Sequence, residues 1–153
     1  MYTRAEITKT KTDFWTTFGQ YMKPVPSAEG LKVNWQNYKT HVPQVFFRMK
    51  AERDFASIGI EINFKDLEMQ ELVFEQFQTF KKLLEGALGE EWQWSLHSTD
   101  DYGKVTSKIQ KTLPNVNVME QEDWSEIISF LKPRIIALDE FWSNVRPAFE
   151  GFL

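Results

Sequence analysis

Lys32, Trp35, Tyr38, Lys39 and His41 lie within ten residues of one another and interleave cationic groups with aromatic rings. That mixture suits single-stranded nucleic acid, because cations neutralise phosphates while rings stack on bases. Arg48 and Lys50 follow closely. Lys104 and Lys108 extend the patch if the polar faces of two hairpins belong to one sheet surface. A structural reading competes: Trp35 and Tyr38 instead pin a long loop to the core, the commoner employment of aromatic side chains.

Catalytic patterns are weaker. A PD-(D/E)xK nuclease holds Mg²⁺ with carboxylates on neighbouring strands and uses a lysine to assist the attacking water. Asp54 and the triplet Glu61-Ile62-Asn63 occupy a similar hairpin. Asparagine stands where lysine is required, however, and the spacing between the acids is short. His41 and His97 lack the spacing of a paired zinc motif, and neither a serine-nucleophile elbow nor a phosphate-binding glycine loop occurs. The acid pairs Glu90-Glu91 and Asp100-Asp101 fall in turns and read as solubilising. Cysteine is absent, which removes thiol nucleophiles, disulfides and thiolate metal sites. The sequence therefore points to no catalytic residue, no metal site and no cofactor, and the candidates are binding residues.

With 153 residues, the chain is the length of a single domain, residues 1–153, able to bury a sizeable core. Six Trp and 13 Phe supply that core, and 26% charged residues solvate the outside. The net charge of −4 conceals an asymmetry. Residues 1–50 carry eight basic side chains against three acidic ones, so the acidic excess lies in the remainder. A basic first third can steer an anionic partner, although so diffuse a spread also describes an ordinary surface. The opening residues do not form a basic cap before an apolar run, and no stretch reaches the roughly 18 apolar residues of a membrane span. A cytoplasmic protein without membrane association is expected. The aromatic surplus also allows an apolar patch that closes a homodimer.

The elements that must position the candidates are legible from periodicity. Phe14, Trp15, Phe18, Tyr21 and Met22 predict a first helix over Thr12 to Met22, closed by Pro24. Residues Lys23 to Pro43 form a long irregular connection of the kind that is often functional. A hairpin turning at Arg53-Asp54 sets Val45, Phe47, Met49 and Ala51 against Ile62, Ile60, Ile58 and Ala56 on one apolar face. Asp66 caps a helix from Leu67 to Leu88, with Gly89 as its stop. Its predicted inner face is Met69, Val73, Phe77, Phe80, Leu84 and Leu88, with Leu72 and Leu83 alongside. A second hairpin sets Trp92, Trp94 and Leu96 against Ile109, Ser107 and Val105, followed by a short extended piece from Val116 to Met119. The last helix begins at Trp124 behind a capping pair, Asp123 and Glu126. Its stripe of Trp124, Ile128, Leu131, Ile135, Leu138, Trp142, Val145 and Phe149 faces the core, and Pro133 is expected to kink it. The order predicts an α+β fold: a largely antiparallel sheet of two hairpins with helices packed on one face and a long kinked C-terminal helix.

The strings Phe130-Leu131-Lys132-Pro133-Arg134-Ile135-Ile136-Ala137-Leu138-Asp139-Glu140-Phe141-Trp142, Ile58-Gly59-Ile60-Glu61-Ile62, and Asn34-Trp35 with Tyr38-Lys39 resemble a bacterial family known as domain of unknown function 4268. The resemblance covers nearly the whole chain. Members stand alone or follow nuclease-like domains, which implies a link to nucleic-acid processing or defence but lends no catalytic residue. The combined expectation is a non-catalytic binding or accessory module. The alternatives are a degenerate PD-(D/E)xK-like nuclease and a homodimeric protein-interaction domain.

Overall fold

The computed structural model describes residues 1–152. Helix α1 spans Arg4–Met22 and begins at a capping box in which Thr3 and Glu6 satisfy each other's backbone N–H groups. This Thr-x-x-Glu signal places the start well before Thr12, where apolar periodicity alone would put it. Phe14, Phe18 and Met22 are buried, whereas Tyr21 is 55% exposed and lies off the inward face.

Strands β1 (Val45–Ala51) and β2 (Phe55–Ile62) pair antiparallel in the register that the apolar face requires, with Val45 opposite Ile62 and Ala51 opposite Ala56. The turn is the two residues Arg53-Asp54, closed by a hydrogen bond from the Glu52 N–H to the Phe55 carbonyl. Strands β3 (Gln93–Thr99) and β4 (Val105–Pro114) form the second hairpin. Together they make one four-stranded antiparallel sheet in the order β1-β2-β4-β3.

The second hairpin departs from expectation in register. Trp94 faces Ile109 rather than Ser107, and the ladder is irregular between Ser95 and Ser98. His97 takes a left-handed backbone (φ 51), and its N–H donates to the Ser107 hydroxyl. The bulge absorbs the offset. A shift of two residues preserves which side chains face inward, so the face assignment of Trp94 and Ile109 survives.

Between the hairpins the single helix expected over Leu67 to Leu88 is two, α2 (Leu67–Thr79) and α3 (Lys81–Leu88). Phe80 leaves helical geometry (φ −102, ψ 17) and its ring lies 6.1 Å from Phe149. This break redirects α3 along the last helix. Leu72 of α2 and Leu83 of α3 do not join the core and are 51% and 56% exposed. Asp66 does cap α2, accepting from Glu68 and Met69, and Gly89 ends α3 at φ 71.

Residues Val116 to Met119 form no strand. The N–H groups of Asn115 and Val118 instead donate to the carbonyls of Asp54 and Glu52, tying this segment to the first hairpin's turn. Helix α4 (Trp124–Val145) then runs unbroken through Pro133 and passes into a 3-10 turn, Arg146–Phe152. Asp123 does not cap it: its carboxylate accepts from the Asn117 N–H. Trp142 sits at the centre of the core, within 6 Å of the rings of Phe47, Phe77 and Phe149. Helices α2 and α4 pack against one sheet face. On the other face the side chains of Arg48, Lys50, Gln93 and Thr112 are exposed.

Candidate functional site

Alternation along β1 decides how the candidates divide. Phe47 and Met49 point to the packed face, so Arg48 and Lys50 point to the bare one. The loop that carries Lys32, Trp35, Tyr38, Lys39 and His41 packs on the opposite side, against α4 and the Phe47 ring. The sheet thus separates residues that are neighbours in sequence into two surfaces.

In the loop, the aromatic pair serves the core. Trp35 is 4% exposed and its indole N–H donates to the Val25 carbonyl at 3.1 Å. It offers no face to a base. Tyr38 stacks on Phe47 (centroids 4.9 Å apart, planes 19° apart), and its hydroxyl donates to Asp139 of α4. The other Asp139 oxygen accepts from the Ala28 N–H at 2.7 Å. Trp142 donates to the Thr40 carbonyl at 2.9 Å, and the Thr40 hydroxyl meets the Val45 carbonyl at 2.7 Å. Burial raises the Tyr38 pKa, and the hydrogen bond to Asp139 and its negative charge raise it further.

Asp139 and Arg146 line the same cleft as the loop residues, a placement not anticipated from the sequence. The signal for Asp139 was present: it lies four residues after Ile135 and three before Trp142, which puts a carboxylate on the apolar side of α4. With Arg146, the exposed loop residues Lys32, Lys39 and His41 line a cleft of about 130 Å³ whose wall includes Tyr38 and Asp139.

On the bare face, Arg48, Lys50 and Lys108 surround a shallow floor that includes Ser57 and Gly59. Gly59 keeps this floor low. A Cβ there would come within 2.7 Å of the Gln110 Cβ and 2.8 Å of the Ile109 carbonyl. Arg48 lies over the Phe46 ring, 4.2 Å from its centroid, and its Nε is 3.6 Å from the Glu61 carboxylate. Lys104 belongs to the turn before β4, where its N–H donates to Asp100, and does not line this floor.

This arrangement removes the geometric basis for a two-carboxylate metal centre. Asp54 sits in the hairpin turn while Glu61 is seven residues along β2. At about 3.3 Å per residue they stand roughly 20 Å apart, too far to share one cation. Among the described residues no cluster of three His, Cys, Asp or Glu side chains could hold a metal. A wider concavity, about 590 Å³ between α1 and β1, has Lys11 as its one charged side chain. Lys11 is already paired with Glu52.

Glu90 forms a two-point ion pair outside these surfaces. Arg134 binds it through two nitrogens, at 2.7 and 3.1 Å, and the Trp92 indole donates to it at 3.1 Å. Burial pushes the Glu90 carboxyl up, but these hydrogen bonds and the charges of Arg134 and Lys111 outweigh it and hold the group below its usual range.

Fold and surfaces together define an α+β protein whose sheet is packed on one side and open on the other. The family described as domain of unknown function (DUF4268) matches residues 10–146, and the chain belongs to it. No match was found among curated proteins or among solved structures. No helix among the described residues is long and apolar enough to cross a membrane.

Proposed function

We propose that this chain is a non-catalytic binding module that holds single-stranded nucleic acid across the open face of its sheet. The observation that carries the reading is the convergence of Arg48, Lys50 and Lys108, from two different strands, on one uncovered floor. Glu61 is the one carboxylate among them, and it lies beside Arg48 and opposite Lys108 in the ladder, so cationic charge prevails. Arg48 adds a flat surface. One side of its guanidinium lies over Phe46 while the side chain is half exposed, and an exposed guanidinium plane stacks an unpaired base.

A labelled single-stranded oligonucleotide followed by fluorescence anisotropy over a salt series tests this. Three phosphate contacts predict a log–log salt slope of roughly −2 for a single strand. Lys50→Ala and Lys108→Ala should each reduce its magnitude by about 0.7. No binding at low salt to either DNA or RNA would refute the proposal.

A further inference from the structure

We infer that the cleft between the Lys23 to Gln44 loop and the end of α4 is a second, separate site that binds a phosphate-sized dianion. The inference does not depend on the sheet-face reading, since the two surfaces lie on opposite sides of the sheet. Lys32, Lys39 and Arg146 line one cavity together with His41. Neither lysine makes an ion pair among the described residues, and Arg146 has only a 3.9 Å contact to Glu150, a residue 55% exposed. Unpaired cations that face one concavity repel one another and gain from an anion placed between them.

Both oxygens of Asp139 accept hydrogen bonds, from Tyr38 and from the Ala28 N–H, which hold its carboxylate in the wall without removing its charge. With Asp139 and Glu29 set against Lys32, Lys39 and Arg146, the permanent cations still exceed the acids at the cleft. His41, in the lining, holds a positive φ of 64, a conformation that non-glycine residues adopt uncommonly. The cleft, about 130 Å³, has room for a tetrahedral oxyanion.

Trp142 lines the cleft and provides a fluorescence readout alongside calorimetry. Inorganic phosphate, a nucleoside 5′-monophosphate, and one oligonucleotide with and without a 5′-phosphate are titrated in turn into the intact protein. Saturable phosphate binding is expected, weakened at least about tenfold by Arg146→Gln and unchanged by Lys50→Gln. A tenfold loss corresponds to about 1.4 kcal/mol. Lys39→Gln, at an exposed position, carries the same test if Arg146→Gln perturbs folding. Preference for the 5′-phosphorylated strand over its 5′-hydroxyl form would identify a chain terminus as the source; equal affinity for free phosphate would identify the free ion. Absence of saturable binding to all phosphate-bearing probes at millimolar concentration, or binding insensitive to both variants, overturns the inference.

Discussion

Asp139 is the residue on which the loop depends. Its carboxylate joins three distant parts of the chain: Ala28 early in the loop, Tyr38 near its end, and α4 itself. Asp139→Ala leaves a half-buried phenol and a backbone N–H without their acceptor. It should destabilise the fold by about 1.5–3 kcal/mol in urea denaturation, the range for hydrogen bonds to a charged group. Glu90 makes a prediction of opposite experimental character, in pH rather than in mutation alone. Its folded pKa is held below the ordinary glutamate value, so its contribution is fully present at neutral pH. That contribution is lost as pH falls below about 4.5 through the lower folded value. Glu90→Gln should therefore be less stable than wild type at pH 7, and the difference should shrink on acidification. A difference that stays constant down to pH 3 would show that the Arg134 pair carries no such linkage.

At the scale of elements, α4 organises the molecule, and Trp142 is its centre. The ring fills the space between Phe47 of β1, Phe77 of α2 and Phe149, while its N–H holds the loop through Thr40. Trp142→Ala should cost about 3–5 kcal/mol, measured as a lowered denaturation midpoint. This stripe was legible because every member repeats at helical spacing. The first hairpin was legible for a different reason: one register alone makes a face of eight apolar residues. Other elements left no such imprint. Neither glycine nor proline marks the break at Phe80, which comes from the demand of tertiary packing around Phe149. Likewise, no glycine marks the bulge at His97, so the second register could not be counted from the sequence. The Thr3 box was readable but lies outside the apolar periodicity that first locates α1.

At the scale of the whole molecule, the sheet acts as a partition. The linear cluster from Lys32 to Lys50 contains real surface cations, and that much could be read directly. Which of its members share a surface could not, because strand alternation and loop packing send them to opposite sides. Trp35 shows the same limit: residue type suggests stacking, and only burial reveals that its ring belongs to the core. Nucleic acid is proposed to engage the open sheet face rather than the loop. Amide chemical-shift mapping on ¹⁵N-labelled protein, titrated with a 5′-hydroxyl single-stranded oligonucleotide, tests this most directly. Perturbations are predicted to cluster on Arg48, Lys50, Ser57, Gly59, Lys108 and Gln110. Perturbations confined to residues 32–41, or none at low salt, would contradict it.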